Sequence, residues 1–274
     1  MALARGGIIG VIPARLESER LPRKALRAIA GHPMLVWVWR RAREAEALED
    51  LLVATDSQEI AACCRSYSIP VELTRSAHRS GTDRIIEVME RRPAEIYVNI
   101  QGDEPMVTAE HIGLLLAPFR ESPPTLVSTL KVPLSVEDAQ GPNNTKVVTD
   151  LDGRALYFSR APIPYNRDPA ERDSAGRARY FKHLGFYAYR ASALEKFHAF
   201  APSPLEQREK LEQLRFLEHG VPIVVVETAR DTIGVDTEED LERVEAYFRQ
   251  EGIQLPGATQ VPGPALRPGS GSST

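Results

Sequence analysis

The sequence predicts a three-layer α/β fold: a mostly parallel sheet covered by helices, with an irregular mixed β/α lobe in its second half. Short, largely β-branched apolar runs recur at Ile8 to Ile12, Leu51 to Ala54, Val71 to Leu73 and Ile96 to Ile100, each short enough for a buried strand. Each leads through a polar stretch into a segment with helical spacing, and that alternation is the mark of a parallel sheet buried on both faces. Beyond Lys131 the alternation stops and a hairpin with extended segments takes over. The 274 residues suit one large domain, placed at residues 1–252, with about 132–220 forming the irregular lobe.

The elements follow in order. Pro13, which has no N–H for a ladder, is expected to close the first strand. Pro33 suits the first turn of a helix from Met34 to Glu46, with Leu35, Val38, Trp39 and Ala42 on one face. Ser57 is an N-cap for a helix to about Tyr67, which Pro70 stops. Residues 74–84 form a polar loop bending at Gly81, with Thr82 as cap of a helix from Asp83 to Arg91. A helix from His111 to Arg120 and a strand from Leu126 to Lys131 complete the regular half. Lys146 to Thr149 and Ala155 to Phe158 flank Asp152-Gly153 and read as a hairpin. Phe181 to Tyr189 alternates like a strand, which puts His183 and Tyr187 on one face. Pro204 to His219 reads as a single helix with Leu205, Leu211, Leu214 and Leu217 inward and Glu212 and Gln213 solvated. Ile223 to Glu227 is the last strand, and Thr237 with Asp240 starts the last helix, to about Gln250. Residues 253–274 lack periodicity, are rich in Pro, Gly and Ser, and are expected to be disordered.

The chemistry-bearing residues fall just after strands, where open α/β sheets bind ligands. Arg15, Arg20, Arg23 and Lys24 follow the first strand, and arginine forks with a lysine ammonium suit a polyphosphate. A solvated charge run is the alternative, but the position directly behind a buried strand favours the phosphate. No Walker loop and no dinucleotide fingerprint is present. Arg75, Ser80 and Thr82 supply donors in a second such loop. Asp103 follows the fourth strand; a carboxylate among phosphate-binding cations suggests Mg²⁺, although Gly102 also fits an ordinary turn. Asp236 is a second metal ligand or a favourable charge at a helix N-terminus. Arg160, His183 and Tyr187 are polar groups in an otherwise apolar lobe.

Composition narrows the classes. With 34 basic and 38 acidic side chains and a formal net charge of -4, the chain is not built to coat nucleic acid. Adjacent Cys63 and Cys64 give neither a zinc spacing nor a C-x-x-C pair, and are expected to pack as small hydrophobes. No run approaches the ~18–20 apolar residues of a membrane span, and the N-terminus lacks a signal-peptide pattern, so a cytoplasmic location and no membrane partner are expected.

Read together, I-P-A-R-L-E-S-E-R-L-P-R-K, H-R-S-G-T-D-R, Q-G-D-E-P-M, K-V-V-T-D-L-D-G-R-A-L-Y-F-S-R-A-P-I-P, H-L-G-F-Y-A-Y-R, L-E-Q-L-R and G-V-D-T-E-E-D-L resemble the bacterial 3-deoxy-manno-octulosonate (Kdo) cytidylyltransferases, the CMP-Kdo synthetase family. The likeness runs in order from residue 8 to about 248. It implies a nucleotide-diphospho-sugar transferase-like domain, usually a homodimer; the irregular lobe is our own expectation for the interface. It implies transfer of CMP from CTP to the anomeric hydroxyl of Kdo with release of pyrophosphate, which activates Kdo for lipopolysaccharide biosynthesis. By motif, Arg15, Ser18, Arg20 and Lys24 would hold the triphosphate, and Arg75, Ser80 and Gln101 the cytidine. Asp103 and Asp236 would hold Mg²⁺, and Arg160, His183, Tyr187, Glu212 and Gln213 would line the sugar site, with Arg15, Lys24 and Asp103 as the catalytic set. A transferase for another acidic sugar, an 8-amino-Kdo analogue or a sialic acid, is the neighbouring reading, and a non-catalytic nucleotide-binding module a third. The chain departs from the family with Arg23 for Gly, Glu19 for Thr and Gly141 for Asn. An arginine forced to positive φ at position 23 would cost about 1 kcal/mol or more.

Overall fold

The opening strand β1 (Ile8–Ala14) alternates between two apolar layers, with Ile8 and Ile12 in one and Ile9 and Val11 in the other. This is the period-2 pattern of a strand covered on both faces. The computed structural model describes residues 7–18, 20–78, 80–121, 125–167 and 180–255. The predicted tail, Glu19 and the loop at 171–179 lie wholly or almost wholly outside these.

After β1 come a small ribbon, β2 (Ala28–Ile29) and β3 (His32–Pro33), then α1 (Met34–Ala42), β4 (Asp50–Thr55), α2 (Gln58–Ser66), β5 (Val71–Leu73), α3 (Gly81–Arg91), β6 (Ile96–Asn99), α4 (Ala109–Glu121) and β7 (Val127–Leu134). The second half holds α5 (Val136–Ala139), the hairpin β8 (Lys146–Thr149) and β9 (Ala155–Ser159), β10 (Tyr180–Arg190), α6 (Ala191–Ala199), α7 (Pro204–Glu209), α8 (Gln213–Glu218), β11 (Ile223–Glu227) and α9 (Glu238–Gln250). The main sheet runs β11-β7-β10-β6-β1-β4-β5, with the hairpin attached through β10. Its pairs are parallel except those of β10, which lies antiparallel between β6 and β7. One core layer gathers residues of α1, α2, α4 and α9, and the other those of α3, α6, α8 and the hairpin. The expected covered, mostly parallel sheet is therefore what the chain forms.

From β1 the chain steps to β4 and β5 on one side, and α3 carries it back to β6 on the other. The carboxyl ends of β1 and β6 thus flank a switch point, where the connecting loops diverge and leave a crevice. The loop after β6 lies directly on the end of β1: a Cβ built on Gly102 would stand 3.1 Å from the Pro13 carbonyl oxygen.

Several boundaries differ from expectation for local reasons. Pro13 sits inside β1 because pairing with β6 ends at Val11 while pairing with β4 continues to Ala14; a strand open on one side tolerates a missing donor. Pro33 is the N-cap of α1 rather than part of its first turn, and the helix ends at Ala42. Ser80, not Thr82, caps α3, its hydroxyl accepting from Asp83 N–H at 3.2 Å. The single helix at 204–219 is two, broken where Lys210 takes φ 56°. The loop departure is real strain: Arg23 has φ 59° and ψ 31°, a conformation natural to glycine, and ion-pairs with Glu59 from α2. Replacing Gly102 by Ala would crowd the β1 end and lower unfolding free energy by about 1–3 kcal/mol, read from denaturant midpoints at unchanged m.

Candidate active site

Two adjoining cavities, about 860 and 760 Å³, open beyond the carboxyl ends of β1 and β6. They share a wall that includes Gln101, Asp103, Glu212 and Asp236. The first is walled by the loop after β1, with Arg15, Ser18, Arg20 and Lys24, and by the N-terminal end of α3, with Ser80. The second is walled by β10 and the α7–α8 break, and takes Arg160, His183, Tyr187 and Gln213. Arg75 lines neither: its side chain is 68% exposed with Nε 3.4 Å from Glu87.

The shared wall is held by charge. Lys24 begins the 3-10 turn that follows the strained Arg23. Its ammonium donates to Asp103 at 2.5 Å and to Asp236 at 2.9 Å. Arg20 pairs with the other Asp236 oxygen at 2.8 Å. The two carboxylates, 133 positions apart by their numbers, are brought within reach of one cation because Val235 N–H donates to the Asp103 carbonyl at 2.9 Å. Burial pulls the Lys24 pKa down, but the charges of Asp103 and Asp236 and their hydrogen bonds outweigh it and leave it above the ordinary lysine value. Asp236 also precedes Thr237, which with Asp240 forms the capping box of α9, so it stands as a charge at a helix start as well as in the wall of both cavities. Among the described residues no three His, Cys, Asp or Glu side chains gather as a metal cage. Two carboxylates suit Mg²⁺ nonetheless, since that ion keeps waters and takes phosphate oxygens in place of an all-protein cage.

The second cavity is lined by buried polar groups. His183 and Tyr187 do share a face of β10, with ring centroids 5.3 Å apart. Thr129 gives its hydroxyl proton to the Phe186 carbonyl at 2.7 Å, so its oxygen accepts from Nε2–H of His183 at 3.0 Å and Nδ1 remains an acceptor. Burial pushes the His183 pKa down to about 3, so the ring is neutral. Glu212 and Gln213 are not solvated. Glu212 accepts from Thr82 at 2.9 Å and burial raises its pKa, while Gln213 is 7% exposed with Nε2 unpartnered. An orphaned buried amide donor marks a place for a ligand or water. Arg160 is fixed by donating from Nε to the Glu209 carbonyl at 2.8 Å and from Nη1 to the Pro142 carbonyl at 3.1 Å. The buried Lys146 ammonium donates to the carbonyls of Arg160 at 2.6 Å and Gly141 at 2.9 Å.

Sequence reasoning gave no role to His78 and Arg84 in the first cavity, or to Glu104, Lys182 and Lys210 in the second. His78, Arg84 and Glu104 stood inside motifs already singled out, H-R-S-G-T-D-R and Q-G-D-E-P; nothing marked the two lysines. Burial, with the charge of Asp103 adding to it, pushes the Glu104 carboxyl up to about 7.

A sequence-family profile described as cytidylyltransferase matches residues 9–228. The 3-deoxy-manno-octulosonate cytidylyltransferase of Acidobacterium capsulatum is 55% identical over 238 residues, covering 87% of this chain and 95% of its own length. That of Koribacter versatilis is 54% identical over 241 residues, covering 88% and 90%. The solved structure of a CMP:2-keto-3-deoxy-manno-octonic acid synthetase complexed with CTP superposes with TM-score 0.83 at 42% identity, over 89% of this chain and 99% of that one. A 4-diphosphocytidyl-2C-methyl-D-erythritol synthase from Anaerococcus prevotii, at 14% identity and TM-score 0.59 over 89% and 99%, shares the fold alone. With identity at this level spread over nearly all of its relatives' length, the chain belongs to the 3-deoxy-manno-octulosonate cytidylyltransferase family of nucleotidyltransferases.

Proposed function

We propose that the first cavity takes CTP, the second takes Kdo, and the reaction crosses the wall they share. The observation that carries this is that wall: Asp103 and Asp236 meet there on Lys24, with cations on one side and buried hydrogen-bonding groups on the other. The anomeric oxygen of Kdo forms a bond to the α-phosphorus of CTP, the bond from that phosphorus to pyrophosphate breaks, and the hydroxyl proton passes to solvent. Arg15, Arg20 and Lys24 screen the triphosphate so that an oxygen nucleophile can approach it. Arg160, its Nε and Nη1 anchored on carbonyls, presents its remaining N–H groups to the sugar carboxylate. The Gln213 amide and the His183 Nδ1 offer a donor and an acceptor to sugar hydroxyls. Asp103 and Asp236 would hold Mg²⁺, which when bound adds charge neutralisation at phosphate and lowers the pKa of the sugar hydroxyl.

We assign the homodimer contact to the irregular lobe, where Leu151 and Leu156 of the β8–β9 hairpin and Tyr165 beyond it are exposed. CTP as co-substrate fits a cytoplasmic enzyme, and no described helix is long and apolar enough to cross a membrane.

A coupled pyrophosphate assay with CTP, Kdo and Mg²⁺ tests the reaction; release no greater than without sugar would refute it. In a panel of acidic sugars Kdo should be turned over fastest, and faster turnover of an 8-amino analogue or a sialic acid would reassign the second cavity. Asp103→Asn should lower turnover by about a hundredfold or more while calorimetry still detects CTP binding. Chelation should stop release and added Mg²⁺ should restore it. Leu156→Asp should shift the sedimenting species from dimer to monomer.

A further inference from the structure

Helix α3 carries a carboxylate that the reaction above does not use. Glu87 is 2% exposed, two turns in from the Ser80 cap. Its Oε2 accepts from the Arg75 backbone N–H at 3.0 Å and from Nε2 of His78, and its Oε1 from Arg91 one turn further on. A buried charge survives only where its partners outweigh its desolvation. Burial alone would raise this carboxyl, but the bonds from Arg75 and His78 and the charge of Arg91 bring it down to about 2. It is therefore ionised throughout the neutral range.

Its partners divide by position. Arg75 and His78 belong to the segment between β5 and α3, whereas Arg91 lies at the far end of α3, where it also donates to the Leu73 carbonyl at 2.7 Å. Of the three, His78 alone lines the first cavity, with its side chain 13% exposed. An imidazole anchored through Nε2 has one nitrogen committed to its anchor and the other left for a ligand. Thr74 fixes the β5 end of this segment, its N–H donating to the Thr55 carbonyl at 2.8 Å and its hydroxyl accepting from Arg84, and Ser80 fixes the other end as the α3 cap. Between those ends, the bonds of the described residues Arg75 and His78 to Glu87 tie the loop to α3. Arg75, one of the donors that the sequence pattern singles out in this loop, is turned outward against Glu87 and Glu90.

We propose that His78 is a nucleotide-binding residue and that Glu87 is the positioning residue that holds its ring at the cavity wall. This rests on the reading of the first cavity as the CTP site.

The test uses the full chain and pyrophosphate release as a function of CTP at saturating Kdo. Glu87→Gln keeps the shape and removes the charge. It should raise KM for CTP about tenfold with kcat held within about threefold, the pattern of lost ground-state binding. His78→Gln should give the same rise, and the double variant should show no further rise, because the two residues act as one unit. Arg91→Ala withdraws the partner that lies away from the cavity, and should lower Tm without moving KM. Wild-type KM in Glu87→Gln and His78→Gln, effects that add in the double variant, or an equal KM rise in Arg91→Ala would each overturn the proposal. If Glu87→Gln does not fold, His78→Gln decides alone, and an unchanged KM overturns it. If the wild type releases no pyrophosphate, the proposed reaction fails by itself; CTP titration by calorimetry then carries the comparison, and equal affinity in wild type and His78→Gln overturns the proposal.

Discussion

One ammonium group ties the site together. Lys24 comes from the loop after β1, Asp103 from the loop after β6, and Asp236 from the approach to α9, and the three meet at 2.5 and 2.9 Å. The Val235 N–H bond to the Asp103 carbonyl holds two of these segments in register, and the Lys24 charge ties the loop after β1 to both. A half-buried lysine between two carboxylates is stable there because each charge offsets the desolvation of the others, which is why its pKa rises in spite of burial. The same cluster lies between the two cavities. The contact that secures the loops is also the point where a triphosphate and an acceptor would meet.

The cost of this arrangement shows in the backbone. Arg23 occupies a glycine-like conformation immediately before Lys24, and Gly102 passes so close to Pro13 that a methyl group would press on a carbonyl oxygen. Both features bring a site residue, at the next position in each case, onto the end of β1. Local strain held by surrounding structure at such a place is how a fold fixes groups that no regular element would position. The second cavity is built differently. Lys210 takes φ 56° between α7 and α8, and the break places Glu212 and Gln213 against β10. Their polar atoms become costly to leave unpaired, so a ligand entering this pocket has to offer them hydrogen-bonding partners.

Much of the fold was legible in order. Strand runs at Ile8, Leu51, Val71 and Ile96 and the hairpin around Asp152-Gly153 were readable because burial on both faces leaves continuous β-branched runs and because turn chemistry is local. The Ser57 cap and the Thr237–Asp240 box were readable for the same reason: a cap needs only residues three apart. The single helix expected from Pro204 to His219 is two because the break falls at Lys210, a residue that ordinarily continues a helix, with no proline or glycine to mark it. Thr82 and Ser80 are both competent caps, and only the entry angle of the chain chose between them.

The sequence alone determined the sheet, the cationic loop behind its first strand and the list of polar residues worth suspecting, since these depend on patterns a few residues long. Only the tertiary structure decided which of them meet. Asp103 and Asp236 converge, Glu212 and Gln213 turn inward and Arg75 turns outward, because convergence is set by how the chain reverses at the switch point between β1 and β6. Burial, which decides whether a carboxylate is solvated or needs a partner, is a property of neighbours distant in the chain, as Glu87 and Glu104 show. No local pattern encodes it.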